Sequence, residues 1–355
     1  MKTVFRVLLS VGLLVLTGVL IALAQIFPQW FFSFYPDFSR QVATILSQIS
    51  GVMPFPIWEI LCGLTILWFL YSLVQSIRKV KFLRWCAGVL LGASLIIFLY
   101  VGLWGLNYYA PSLTEQMELP NEQYTVRQLK EATIYYRDMA NAAAREVARN
   151  EDGSFRSGDF EELAQVAGES YLTLAEEYPF FKGSTAPPKK LLISPIMGKI
   201  GMTGNFMCLT GESCVSSTTY PVSLPFTLCH EVGHRLALAR EDETNFAAFL
   251  ACSASERADF RYSAYYNAFL YCFNTLYAAD EPAAKEVWAG VGELLARDMN
   301  RSSEHYSSIR SETASKVREK VYNGYLRSFS VKEGVASYGK AADLLLIWYF
   351  ERVKG

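Results

Sequence analysis

Residues 7–36, VLLSVGLLVLTGVLIALAQIFPQWFFSFYP, contain no charged side chain. Two further uncharged stretches follow, ILCGLTILWFLYSLVQSI at 60–77 and WCAGVLLGASLIIFLYVGLWGLNYYAPSLT at 85–114. A helix needs about 20 mostly apolar residues to cross a bilayer. Because lipid offers no partners to backbone polar groups, a spanning segment must satisfy them internally, as a helix does. We therefore predict three transmembrane helices, at about 7–27, 57–77 and 85–106.

A cleaved signal peptide is the alternative for the first stretch. Lys2 and Arg6 precede it, and Ala22-Leu23-Ala24 has the small-residue spacing of a cleavage site. The uncharged run continues through Ile26 to Trp30, which favours a retained helix. The two later spans make the protein integral to a membrane in either case.

The 355 residues divide by charge into two parts. Residues 1–106 hold seven of the 33 Lys and Arg but two of the 34 Asp and Glu, a net charge of +5, and the remainder carries −6. The whole chain is 52% hydrophobic and has a net charge of −1, which excludes a disordered chain and gives no basic field for nucleic acid. We predict a membrane anchor at 1–106 and a second domain at 107–355.

Lys and Arg near the spans set the expected orientation. Lys2 and Arg6 precede the first span, and four basic residues at 78–84 separate the second from the third. Loop 28–56 contains a single basic residue, Arg40, and the first charged residues after the third span are acidic. We expect the N-terminus to be cytoplasmic and the domain at 107–355 to be extracytoplasmic.

Loop 28–56 contains a helical pattern of its own. Its aromatic residues at 30–35 are typical of a membrane interface. We predict an interfacial helix at about 37–50 on the outer leaflet, and packing against the outer domain is the alternative. The apolar residues that share one helical face are Phe38, Val42, Ile45, Leu46 and Ile49.

From about residue 120 the pattern becomes mainly helical. Leu191-Leu192-Ile193 and the Gly-, Ser- and Thr-rich segment 199–223 indicate short strands with turns. The predicted fold class is a mostly α membrane protein, with three transmembrane helices followed by a mainly helical α+β domain with a small sheet. Helical spacing predicts helices at 126–147, 161–177, 226–239, 241–253, 257–278, 284–298, 304–322 and 332–352.

Two of the chain's three histidines lie in His230-Glu231-Val232-Gly233-His234, an H-E-x-x-H pattern. On a helix, residues four apart point to one side, so both imidazoles can bind one Zn²⁺. A metal lowers the pKa of its bound water to about 7, and Glu231 is positioned to take the proton. We predict His230 and His234 as metal ligands and Glu231 as the general base. A helix with two surface histidines is the alternative.

A catalytic zinc takes three protein ligands and a water. Glu241 and Glu243 are the candidates for the third ligand, and about 200° of helix rotation separates them, so only one can bind. On a straight helix Glu241 would lie about 10 Å beyond His234, so the chain must turn between 235 and 240. No Gly or Pro marks that turn.

The segment H-E-V-G-H…E-D-E-T-N-F-A resembles gluzincin-type metallopeptidases, whose second motif, Glu-x-x-Ala-Asp/Asn, lies on the next helix. The chain most resembles an uncharacterised bacterial membrane family with three N-terminal spans and an outer H-E-x-x-H domain. The resemblance implies a zincin-like domain in the bacterial cell membrane and favours Glu241 as third ligand. The other segments that carry it are Trp104–Tyr109, Thr210–Glu212, Pro225–Thr227 and Gly334–Gly339.

The chain departs from the family pattern at three positions. Ala237 replaces the Gly of the usual H-x-x-G turn, and Thr244 replaces the usual Ala. Arg235 follows the second His, where active zincins usually have an uncharged residue. None of the three changes removes a ligand.

These observations predict a multi-pass zinc metallopeptidase that hydrolyses peptides or envelope proteins. A catalytically inactive zinc-binding envelope sensor or scaffold is the alternative, and the oligomeric state stays open. Tyr262 and Tyr338 are weaker candidates as oxyanion donors, and His305 is expected at the surface. Cys208 and Cys214 are a possible disulfide pair.

Overall fold

The computed structural model describes residues 2–120, 124–329 and 338–355. Within these ranges the chain is mainly helical, with three long apolar helices near the N-terminus and one small sheet. This arrangement confirms the predicted fold class. Residues 332–337, the start of the last predicted helix and part of the segment 334–339, lie outside the described residues.

Three helices are long and apolar enough to cross a membrane, namely α1 (Lys2–Ile26), α4 (Ile57–Arg78) and α5 (Phe82–Leu103). They agree closely with the three predicted spans and indicate a membrane protein. Helices α1 and α5 run parallel, because Arg6 donates to the Arg84 carbonyl at one end and Leu20 lies beside Gly102 at the other. Helix α4 is antiparallel to them, so α4 begins at the end where α1 and α5 finish.

Two helices, α2 (Pro28–Phe32) and α3 (Tyr35–Gly51), connect α1 to α4. Helix α3 turns a face of mostly small residues to the protein, and Ser39 and Ser47 on it donate to the Leu103 carbonyl and to the Ser184 hydroxyl. The apolar residues Phe38, Ile45 and Ile49 are exposed on other sides of the helix. This arrangement suits an interfacial helix, and its position on the outer leaflet stays a prediction.

The rest of the chain packs around the buried helix α13, whose apolar side chains join those of its neighbours in one core. Two glycines, Gly290 and Gly292, lie in the break between α14 and α15, so the predicted helix 284–298 is wrong in its bounds. The predicted helix 304–322 is also wrong, because it spans the end of α15 at Ile309 and the start of α16 at Glu312. The helices are α6 (Leu113–Gln116), α7 (Val126–Ala143), α8 (Phe160–Glu169), α9 (Leu172–Glu177), α10 (Ser194–Lys199), α11 (Leu224–Arg235), α12 (Glu241–Ser253), α13 (Ala258–Ala279), α14 (Glu281–Trp288), α15 (Glu293–Ile309), α16 (Glu312–Ser328) and α17 (Tyr338–Trp348).

The sheet contains β1 (Lys189–Lys190), β2 (Gly204–Met207) and β3 (Glu212–Val215) in the order β1-β3-β2. Strand β1 is parallel to β3, and β2 pairs with β3 as an antiparallel edge strand. The predicted strand at 191–193 is wrong, because these residues turn toward α10 and the Leu192 amide donates to Glu59. Cys208 and Cys214 are free thiols, so the possible disulfide is absent.

The segment Thr210-Gly211-Glu212 attaches the sheet to the membrane helices. Gly211 has a φ of +68°, and a Cβ there would lie 2.5 Å from the Ser47 amide of α3. The buried Glu212 carboxylate accepts the amides of Ile57 at 2.8 Å and Trp58 at 2.9 Å. It therefore caps the first turn of α4, whose amides have no partners within the helix. Lys189 pairs with the same carboxylate at 2.7 Å.

We predict that Glu212→Ala lowers the free energy of unfolding by about 3 kcal/mol, because it leaves the largely buried Lys189 without its charged partner and the first amides of α4 without an acceptor. Thermal unfolding in detergent, followed by circular dichroism, measures the change. Glu161→Ala is the matched control, since Glu161 lies 3.8 Å from the neighbouring Lys190 in an exposed pair. It should cost less than about 1 kcal/mol. Equal shifts in the two variants would contradict the capping role.

Candidate metal centre

Helix α11 carries the H-E-x-x-H pattern through the core. Val232 and Leu236 are buried among apolar neighbours on one side of it. On another side lie His230 and His234, whose ring centroids are 4.7 Å apart with the rings nearly perpendicular. The two imidazoles therefore share one side of the helix, as their spacing of four predicts.

A tight turn follows α11 and reverses the chain. The Ala237 amide donates to the His234 carbonyl at 3.1 Å, and the Leu238 amide donates to the Gly233 carbonyl at 3.3 Å. These two bonds form a Schellman motif, which requires a left-handed residue between them. Ala237 is that residue, with a φ of +72°. The predicted helix 226–239 is therefore wrong at its end, because the motif stops α11 at Arg235.

The turn brings Glu241, the first residue of α12, back to the two histidines. One carboxylate oxygen lies 3.2 Å from His230 Nε2, and the other lies 3.7 Å from His234 Nε2. One ligand atom from each of the three residues fits within 4.8 Å of the others. Two imidazole nitrogens and a carboxylate oxygen form a donor set that suits Zn²⁺.

Glu243, the other candidate ligand, is directed elsewhere. Its buried carboxylate accepts the Leu113 amide at 3.0 Å and pairs with Arg240 at 2.7 Å. Of the two glutamates, the structure thus brings Glu241 to the histidines and Glu243 to a structural contact. Helix rotation between the two positions explains the difference.

His234 is oriented by a hydrogen bond on the far side of its ring. Its Nδ1 lies 2.7 Å from the Leu238 carbonyl, which can only accept, so Nδ1 carries the proton. In the neutral ring, the Nε2 atom that faces Glu241 is then the nitrogen without a proton and can bind a metal. The hydroxyl of Thr244, the residue that departs from the family pattern, lies 3.4 Å from Nδ1. Thr244 thus packs against the His234 ring without displacing it.

The two imidazoles stabilise the ionised form of the Glu241 carboxylate. Although burial opposes ionisation, His234 and His230 hold the pKa of Glu241 well below its usual range. Tyr322, on α16, donates to Glu241 Oε1 at 2.6 Å and orients this carboxylate. Sequence reasoning missed Tyr322, because nothing in its local pattern distinguishes it among 21 tyrosines. Its role depends on α16 packing near the start of α12.

Glu231 lies beside the cluster and is buried. Its Oε2 atom has no hydrogen-bond partner among the described residues. Burial raises the pKa of Glu231 to about 7, a change that the two imidazoles oppose and Glu241 favours. A Cβ at Gly204 of β2 would lie 2.4 Å from its Oε1 atom, so a larger residue there would displace the Glu231 side chain. A buried, unpartnered carboxylate with a perturbed pKa is typical of a functional group.

Arg235 points away from the cluster. Its buried guanidinium donates to the Ser184 carbonyl at 3.0 Å, and Ser184 in turn contacts Ser47 of α3. The charge that departs from the zincin pattern therefore lies on the side of α11 that faces α3. It does not reach the metal-binding side.

Tyr262 and His305, two of the weaker candidates, make their contacts outside the cluster. Tyr262 is buried and donates to Asp298 at 2.5 Å, in a structural network with Arg149. His305 is half-buried and lies 2.7 Å from the Thr218 carbonyl, so the expected surface position is only partly correct. The side chain of Tyr338 lies outside the described residues.

A cavity of about 1250 Å³ opens beside the cluster. Its lining includes Arg240, Asp242 and Glu243 from the start of α12, together with residues of α2 and α17. None of the three clustered residues lines it. The cavity is therefore a neighbour of the candidate metal centre and not the centre itself.

Comparison with known proteins gives one match. Residues 34–346 match the model of a family described as "Protein of unknown function (DUF3810)". The match includes α4, α5, the H-E-x-x-H pattern and Glu241. No curated protein and no solved structure matches the chain.

We predict that Ala237→Gly raises the free energy of unfolding by about 1 kcal/mol, because glycine adopts a positive φ without the strain that a Cβ causes. Ala239→Gly is the matched control in the same turn, and Ala239 does not have a positive φ. It should lower the free energy by about 0.4–1 kcal/mol through the greater entropy of the unfolded chain. Thermal unfolding of the two variants measures the difference, and stabilisation by Ala239→Gly alone would contradict the left-handed turn.

Proposed function

We propose that this chain, which belongs to the DUF3810 family of proteins of unknown function, is a membrane-anchored zinc metallopeptidase. The observation that carries the proposal is the convergence of His230, His234 and Glu241 beside the unpartnered carboxylate of Glu231. A purely structural metal site closes its coordination with protein ligands and has no use for such a carboxylate. The three-ligand set leaves a position for water.

In this reaction three side chains would bind the metal and a fourth would transfer the proton. His230, His234 and Glu241 would hold Zn²⁺, which supplies a polarised water and an acid for the substrate carbonyl. Glu231 takes a proton from the attacking water and passes it to the leaving nitrogen as the peptide C–N bond breaks. Tyr322 keeps Glu241 in place, and Leu238 orients His234.

The charge distribution supports an extracytoplasmic site in the bacterial cell membrane. Basic residues precede α1 and connect α4 to α5, which favours a cytoplasmic location for these ends. The candidate metal centre contacts the opposite end of α5 through Trp104, and strand β3, which is bonded to α11, contacts the start of α4. Peptides and envelope proteins are then the available substrates. A zinc-binding sensor or scaffold without turnover is the competing function.

We predict that Glu241→Gln weakens zinc binding more than about 100-fold, beyond the loss typical of residues that only orient a ligand. Mass-spectrometric metal analysis and chelator competition on the purified protein measure it. Glu243→Gln is the matched control and should keep zinc, since its carboxylate faces Arg240 and Leu113. Loss of zinc from Glu243→Gln alone would reassign the third ligand, and zinc-free wild type would contradict the metal site.

We predict that Glu231→Gln keeps zinc but lowers casein hydrolysis by about 10²–10⁴-fold, because the amide cannot accept the proton of the attacking water. Glu256→Gln, at an exposed glutamate, is the control and should leave hydrolysis unchanged. Release of casein fragments from the full-length protein in detergent measures the rate. Equal hydrolysis by wild type and Glu231→Gln would contradict the mechanism, and a zinc-loaded wild type without hydrolysis would favour the sensor or scaffold.

A further inference from the structure

The three membrane-length helices end together beneath the candidate metal centre. Ala24, near the end of α1, lies in one buried cluster with Val101 and Trp104 at the end of α5. The beginning of α4 reaches the same level, where Glu212 of β3 accepts its first amides. All three helices therefore contact the remainder of the protein at one end.

Helix α11, which carries His230 and His234, lies directly against the end of α5. Trp104, the residue after α5, donates its indole N–H to the His234 carbonyl at 3.0 Å. The indole and imidazole centroids are 6.1 Å apart. Ala239, from the turn between His234 and Glu241, belongs to the same buried cluster as Ala24 and Trp104. A single side chain thus separates a candidate metal ligand from the end of a membrane-length helix.

The surface around the contacting ends of the membrane-length helices is aromatic and apolar, as in proteins that contact lipid. Trp30 in α2 and Phe34 just after it are exposed, as are Phe38, Ile45 and Ile49 on α3. Tryptophan and exposed apolar helix residues are typical of the membrane–water interface. Because α3 is bonded to α5 through Ser39, this surface cannot shift independently of the spans. The cluster is therefore held close to the bilayer surface.

We propose that the substrates are juxtamembrane segments of other membrane-embedded polypeptides, an inference that rests on the proposed peptidase function. An extended chain advances about 3.3–3.6 Å per residue, so about ten residues beyond a span cover roughly 35 Å. Peptide bonds within that distance reach the cluster as soon as the two proteins meet in the bilayer. A soluble chain lacks this confinement and must reach the cluster from bulk solution.

The test uses the full-length protein in liposomes with a single-span substrate. An unstructured casein segment follows the span on the extracytoplasmic side, after a Pro-rich spacer of four or forty residues. Such a spacer extends by about 3.1 Å per residue, so the long one lifts the segment about 120 Å from the bilayer. The same segment without a span is the soluble control, and Glu231→Gln supplies the background of each reaction.

We expect the short-spacer substrate to be cleaved at least about tenfold faster than both the long-spacer and the soluble substrates, because only its segment is confined at the level of the cluster. Fragments are quantified by mass spectrometry. Equal Glu231-dependent cleavage of all three substrates would overturn this inference and leave the proposed function standing. Absence of Glu231-dependent cleavage in all three, with zinc bound, would overturn both.

Discussion

The His234 carbonyl accepts two hydrogen bonds, and the candidate metal centre depends on both. One comes from the Ala237 amide and closes the turn that returns Glu241 to the histidines. The other comes from the Trp104 indole and ties the ligand helix to the end of α5. A carbonyl oxygen has two lone pairs, so this one atom can accept both the bond that closes the turn after α11 and the bond from Trp104 at the end of α5. Displacing this carbonyl would disturb the geometry of the cluster and its distance from the bilayer at once.

Buried charges distinguish the structural groups from the candidate reactive one. Glu212 and Glu243 each accept backbone amides and face a basic side chain. Arg235 donates to a carbonyl that belongs to the contact with α3. Among the three carboxylates, only Glu231 keeps a buried oxygen without a partner in the described part of the chain, and the buried Nε atom of Arg235 also lacks one. Because burying an unsatisfied carboxylate is costly, its position next to three converging side chains that could hold a metal argues for a chemical role.

Helix α3 shows how one amphipathic segment can serve two environments. Small residues on one face allow the backbone of Gly211 to approach closely, and Ser47 bonds to Ser184 there. Larger apolar residues point outward at the level where the membrane-length helices end. The sequence pattern identified the apolar face, whereas the small, mostly polar face that makes the protein contacts carried no comparable signal. The same helix connects the sheet, the span ends and, through Ser184, the far side of α11.

The sequence by itself determined the three apolar helices, the mainly helical remainder and the pair of histidines, because these depend on composition and on helical spacing along a short stretch. It also limited the third ligand to Glu241 or Glu243. Only the tertiary structure shows that Glu241, and not Glu243, lies beside the two histidines, because Ala237 makes a left-handed turn although no glycine marks it in the sequence. Tyr322 and the Trp104 contact were likewise inaccessible to local patterns, because α16 and α5 meet the cluster only after packing brings distant parts of the chain together.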